Sequence, residues 1–266
     1  MKRKIMSLCL VVALAATAIV GASLAYFTDT DKATNTFTTT NVKIELIEQQ
    51  RNENRTGLED FVGNTVLYPI VGSAQNNNDK FGMPNTNVKN YVDKIVTVKN
   101  LAADAYVRVY YAIPSVLDNV GDASMNILHV NSGNKFVADG TKTDYEALNR
   151  DFSENMGKEN SLVTNYEIDG VDYNIYYRDY NKVLTKDEVT GSAFIIGLYL
   201  DKGVDYDNST GKYTINDETI DFDFSKGVNI PVFAVGVQAQ GFVSCSAAVT
   251  EAFGASYNPW ASTTTN

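Results

Sequence analysis

Histidine and cysteine are nearly missing from this chain, and each shortage excludes a class of chemistry. His129 is the one histidine. A zinc hydrolase of the His-Glu-x-x-His kind needs two imidazoles on one helix face, so that site cannot be built here. A Ser-His-Asp or Cys-His arrangement would have to place His129 at its centre. That residue sits in "MNILHVNSG", an apolar run heading into a polar turn, and it reads as structural rather than catalytic. The two cysteines are Cys9 and Cys245. Cys9 falls in an apolar N-terminal stretch expected to be removed. Cys245 is then a lone buried thiol, and no intramolecular disulfide forms. Gly-rich loops that lead into a helix, the phosphate cradles of nucleotide sites, are missing as well. Carboxylates are too plentiful for any pair to stand out as a glycosidase dyad. The expectation is a protein that is not an enzyme, with no catalytic residue, no cofactor and no metal.

Basic residues are the next shortage. The chain has 22 Lys and Arg against 32 Asp and Glu, a net charge of −10. Three of those bases, Lys2, Arg3 and Lys4, open the chain. From Ile5 to Val20 there is no charge and almost nothing polar. Ser23 and Ala25 then put small residues at the two positions a signal peptidase reads. Residues 1–25 are therefore expected to be a secretory signal peptide, cut between Ala25 and Tyr26. The alternative is a retained anchor, because Ile5 to Ala25 is just long enough to span a bilayer. Removing residues 1–25 leaves 241 of the 266 residues and moves the net charge from −10 to about −13. Such a surface repels nucleic acid and anionic lipid, so neither is expected as a partner. Membrane contact is expected only through the uncleaved signal peptide. The remaining length suits one all-β domain with a sizeable core.

Helical patterns are few. "TKTDYEALNR" fits two turns ending at Arg150, capped by Thr141 or Thr143, and Ser246 to Phe253 fits a short helix ended by Gly254. Strand patterns fill the rest. Val42-Lys43-Ile44-Glu45-Leu46 alternates strictly, as does Tyr91 to Lys99. Ala105 to Pro114 is rich in β-branched and aromatic residues and is stopped by proline. Asp169-Gly170 sits between two alternating runs and predicts a tight hairpin. Ala193 to Asp201 reads as a buried strand. Another strand follows the polar turn at Asn208 to Gly211. The centre of Asn229 to Phe242 is apolar on both faces, as a central strand requires. Between Arg51 and Asn90 the chain reads as loops around one short strand, Thr65 to Val71. With no regular βαβ alternation, the fold class is all-β: an antiparallel β-sandwich, jelly-roll-like, with one or two short helices in insertions and near the C-terminus.

Two acidic clusters invite comparison with calcium sites: Asp201, Asp205, Asp207 and Asn208, then Asp217, Glu218, Asp221 and Asp223. The first lacks the Gly and closing Glu of an EF-hand loop. The second reads as a solvated strand edge, with Asp221 and Asp223 on one face and Phe222 and Phe224 on the other. Sixteen tyrosines are present. Those in "VYY" and "YNIYY" could line a carbohydrate-binding face, although such residues more often form strands.

The segment "LAYFTDTDKATNTFTTTNVKIEL" resembles the signal-peptide exit and first mature strand of the TasA/camelysin family. The likeness lies in Ala25, Tyr26-Phe27, Thr28-Asp29 and Asn35-Thr36-Phe37. Downstream, "VDKIVTVKNLAADAYVRVYYAI" and "IPVFAVGVQAQGF" with "AAVTEAFG" resemble a strand pair, a closing strand and a short helix of that family. The resemblance implies a jelly-roll-like protein exported through a SipW-type signal peptidase. Its place would be the extracellular (biofilm) matrix or the cell surface, where it polymerises into fibres, with other matrix proteins as further partners. It also implies a division into a signal peptide (1–25), a donor-strand segment (26–47), a β-sandwich domain (48–260) and a flexible tail (261–266). In the fibre, Phe37 would anchor the donor segment, and Val42, Ile44 and Leu46 would enter a neighbour's groove or pack at home. Camelysin-type proteolysis is not expected without paired histidines. The alternative is a cell-surface adhesin or carbohydrate-binding β-sandwich that does not polymerise.

Overall fold

The computed structural model describes residues 42–63, 67–72, 83, 86–122, 125–131, 155–207, 210 and 212–261. The strands are β1 (Ile44–Arg51), β2 (Leu58–Asp60), β3 (Val92–Asn100), β4 (Ala105–Pro114), β5 (Leu128–Asn131), β6 (Asn160–Ile168), β7 (Val171–Leu184), β8 (Ile195–Leu200), β9 (Val204–Asp207), β10 (Lys212–Ile215), β11 (Glu218–Thr219) and β12 (Val232–Gln238). One helix, α1 (Cys245–Phe253), follows.

Local chemistry explains the ends of these elements. Pro114 closes β4 because it has no N–H to continue a ladder, and the chain turns at once through a 3₁₀ turn, Ser115–Leu117. Asp169 and Gly170 adopt φ of 51° and 80°, the positive angles a two-residue hairpin demands, and β6 folds back onto β7 there. Ser244 caps α1, its hydroxyl accepting the Ala247 N–H at 3.2 Å. Gly254 ends the helix at φ 91°, where its N–H bonds the Thr250 carbonyl.

Among the described residues three sheets form, with strand orders β2-β1-β3-β8-β5, β12-β4-β7-β6 and β11-β10-β9, and every pairing within them is antiparallel. The chain switches sheets from β3 to β4, β4 to β5, β5 to β6 and β7 to β8. This alternation is that of a jelly-roll-like sandwich.

Alternating residues of both large sheets meet in one core. Ile44, Leu46, Val96, Val98, Leu128 and Leu198 come from the first sheet, and Val107, Val109, Tyr111, Tyr176, Val232 and Ala234 from the second. The opposite face of β12 and β4 is covered by α1. Phe233, Val235 and Tyr110 pack there with Cys245, Ala248 and Val249. β12 is thus buried on both faces, as its apolar composition predicts, yet among the described strands it ends its sheet rather than sitting centrally.

β1 starts at Ile44, so residues 42–47, grouped above with the donor segment, belong to the sandwich. Thr65 and Val66 of the expected strand lie outside the described residues. Its remainder makes only isolated bridges through Pro69 and Val71. The expected helix ending at Arg150 also lies outside them.

Candidate functional site

The first candidate region is the seam where the chain enters the sandwich. Val42, Ile44 and Leu46 are each no more than 3% exposed. β1 pairs with β3 from Ile44↔Asn100 to Gln49↔Ile95, which points these side chains inward. Of the two homes left open for them above, they occupy their own chain's core. Ala25, Tyr26 and Phe37 lie outside the described residues.

Gly236 of β12 faces the seam. A Cβ at that position would sit 2.8 Å from Ile44 Cγ2 and 3.1 Å from Val42 Cγ1. Glycine therefore lets the entering chain lie against β12. Gly236→Ala is expected to lower stability by about 1–3 kcal/mol through overpacking. Urea unfolding followed by circular dichroism checks this, and an unchanged midpoint would show that the seam relaxes freely.

The second region is an aromatic cleft beside the small sheet. It has a volume of about 730 Å³ and is lined by Tyr68, Tyr206, Tyr213 and the run Ile220 to Phe224. Its rings form a row. Tyr206 and Tyr213 centroids are 5.2 Å apart, Tyr213 and Phe224 4.4 Å, and Phe222 and Phe224 5.0 Å. Burial raises the Tyr213 pKa. A neighbouring cleft of about 520 Å³ shares Asp221, Phe222 and Asp223 as a common wall. The tyrosines singled out in the sequence do not build this surface. Tyr110, Tyr111, Tyr173 and Tyr176 are buried, with Tyr111 stacked on Tyr176 at 5.8 Å. Sequence reasoning missed Tyr68 and Tyr206: the first lies in an apolar run read as a short strand, and the second is flanked by Asp205 and Asp207.

The acidic clusters divide their duties. Asp201 lies against His129 and accepts the Gly203 N–H at 2.7 Å. Asp205 accepts the Tyr206 N–H, and Asp207 accepts the Thr210 hydroxyl. Asn208 lies outside the described residues. Among the described residues no three of His, Cys, Asp and Glu converge into a metal-holding group. Asp221 and Asp223 are exposed while Phe222 and Phe224 turn partly inward, as alternation predicts, although that stretch runs into a 3₁₀ turn, Phe224–Lys226, rather than a strand.

Charged groups inside the sandwich are held by ion pairs or by hydrogen bonds from neutral side chains. Lys94, wholly buried, reaches Glu48 Oε1 at 2.6 Å, with its Nζ 4.8 Å from the centre of the Phe61 ring. Burial lowers the Lys94 pKa, and Glu48 opposes it. Arg178, also fully buried, lies 3.5 Å from Glu159, which accepts the Tyr111 hydroxyl. Asp118 accepts from Tyr176 and from Asn174, and burial raises its pKa despite those bonds. The Lys94–Glu48 and Arg178–Glu159 pairs hold opposite charges in the interior, where breaking a pair is costly.

His129 Nε2 lies 2.9 Å from Asp201 Oδ2, and its ring packs 4.7 Å from that of Tyr199. Burial lowers its pKa, and Asp201 opposes the shift. The unfolded chain then binds this proton more readily than the folded one. Stability should fall as pH drops through about 6.5 toward the depressed folded value, by up to about 1.4 kcal/mol per pH unit. Urea melts at pH 7.5 and 5.5 check this. His129→Gln should flatten the slope, and a variant that keeps it would assign the effect elsewhere.

Comparison of the chain with protein-family models, with curated proteins and with solved structures gives no match.

Proposed function

We propose that this chain is a secreted, non-enzymatic structural protein of the extracellular (biofilm) matrix. It assembles into fibres when residues 26–41 of one copy lie along β12 of the next. The observation that supports this reading is the seam. Val42 and Ile44 pack on Gly236, so the first described residues of the chain lie beside β12. That strand ends its sheet among the described strands and is apolar on both faces. Backbone pairing along such a strand gives affinity, and side-chain pockets give register. Phe37 is the segment's anchor. The donor is shorter than the sequence alone suggests, because Val42, Ile44 and Leu46 already serve their own core. A contact of this kind is head-to-tail, and it builds a filament when its rotation does not close into a ring. The resemblance of the N-terminal residues to the TasA/camelysin family points the same way, with a SipW-type peptidase freeing the segment at Tyr26.

Negative-stain microscopy of two chains tests the proposal. One starts at Tyr26 and the other at Asn41. The longer chain should form filaments, faster at mildly acidic pH or high salt where its net negative charge is quenched. The shorter should stay a folded monomer. Filaments from the shorter chain, or none from the longer at any concentration, would overturn it.

A further inference from the structure

We propose that the paired clefts around Asp221 to Asp223 bind a chain of neutral pyranose sugars. Tyr68 and Tyr206 expose 53% and 46% of their surface at the mouth of the larger cleft, so they are not there to fill a core. Tyr213, Phe224 and Phe222 continue the aromatic lining from Tyr206, with neighbouring ring centroids 4.4 to 5.2 Å apart. Beside the rings stand Lys212, Thr219 and the carboxyl groups of Asp221 and Asp223. Asp223 is drawn to Lys226 at 3.2 Å. A pyranose has the matching character: an apolar C–H face that stacks on an aromatic ring, and a rim of hydroxyls that bond carboxylates and amines.

Other ligand classes fit less well. A purely apolar ligand would strip water from the carboxyl groups without replacing its hydrogen bonds. An acidic ligand meets two carboxyl groups in the cleft and a chain of net charge −10. The two clefts, of about 730 and 520 Å³, share the wall Asp221, Phe222 and Asp223. That continuity suits several linked rings better than one, and each volume lies in the range of ordinary ligand sites. The clefts share no residue with the seam at Val42, Ile44 and Gly236. Sugar binding therefore stands independently of fibre formation.

The test screens the chain starting at Tyr26 against immobilised neutral tetrasaccharides built from glucose, galactose or N-acetylglucosamine, and titrates any that is retained by calorimetry. At least one tetrasaccharide should bind, more tightly than its own monosaccharide. Tyr206→Ala and Tyr68→Ala should each weaken that binding by about ten-fold while leaving the circular dichroism spectrum unchanged. Val62→Ser, at an exposed site away from the clefts, should bind as the parent does. Failure of every neutral tetrasaccharide to bind, retention of uronic-acid glycans alone, or undiminished binding by both tyrosine variants would overturn the assignment.

Discussion

A chain that starts at Glu48 should fail to fold, whereas one that starts at Asn41 should unfold cooperatively. The cut at Glu48 removes Val42, Ile44 and Leu46, all at most 3% exposed. It also removes four of the β1–β3 partner pairs, Ile44↔Asn100 to Ile47↔Thr97. Truncating one buried Leu or Ile to Ala costs about 2–5 kcal/mol. Three such losses together reach the whole stability of a typical domain, about 5–15 kcal/mol. The face of Gly236 that these side chains cover would open to water. Far-UV circular dichroism with a urea titration distinguishes the two chains. A sigmoidal transition from the shorter one, with a midpoint near that of the longer, would show that β1 is dispensable. The result bears on any assembly experiment: a deletion that reaches β1 acts by unfolding the chain, so only the cut before Val42 separates assembly from folding.

Asp179→Ala should cost about 3–5 kcal/mol, the penalty for leaving a buried cation without its counter-ion. Arg108 and Asp179 are cross-strand partners on β4 and β7. The guanidinium donates from Nε to Oδ1 at 2.5 Å and from Nη2 to Oδ2 at 3.0 Å. The two side chains are only 4% and 14% exposed. The Arg108 guanidinium also lies 4.1 Å from the centre of the Tyr177 ring. Burial alone would lower the Arg108 pKa, but Asp179 more than offsets it and the net shift is upward. Neighbouring Tyr110 is pushed up to about 12 by burial. A paired replacement, Arg108→Met with Asp179→Leu, removes both charges and should recover most of the loss. Urea unfolding of the single and double variants reads the difference. If both lose stability equally, packing rather than charge holds this position.

The sequence is legible wherever one residue type has one structural use. β4 runs from Ala105 to Pro114 as expected, because β-branched and aromatic residues fill it and proline can only close it. The Asp169-Gly170 hairpin follows from the positive φ both residues tolerate. The closing strand and α1 emerge with ends shifted by a few residues. β5 was not legible. Leu128, His129, Val130 and Asn131 are all buried, so the polar residues that would mark an outward face are hidden too. β2 has only three residues, all exposed, and carries no pattern of its own. The expected strand ending at Val71 fails around Pro69, which has no N–H to pair.

Site residues were harder to find because they are assembled from distant parts of the chain. Tyr68 and Tyr206 line one cleft from distant parts of the sequence. Arg51 and Asp93 form a bidentate pair across 42 positions. Glu48 and Lys94 pair across 46. No spacing rule links such partners. Conversely, tyrosine-rich runs suggested a binding face precisely where strand pairing buries it. Tyr111 and Tyr176 sit opposite each other in the β4–β7 register and face the core.

Cys245 gives the folded domain a natural reporter. It begins α1, is 2% exposed, and its Sγ donates to the Val107 carbonyl at 3.2 Å. Burial holds its thiol well above the usual pKa, so little nucleophilic thiolate is present in the closed state. An alkylating reagent can therefore modify this thiol quickly only when the helix lifts from the sheet. Mass spectrometry of the Cys245 adduct would time the lifting of α1, with no engineered label.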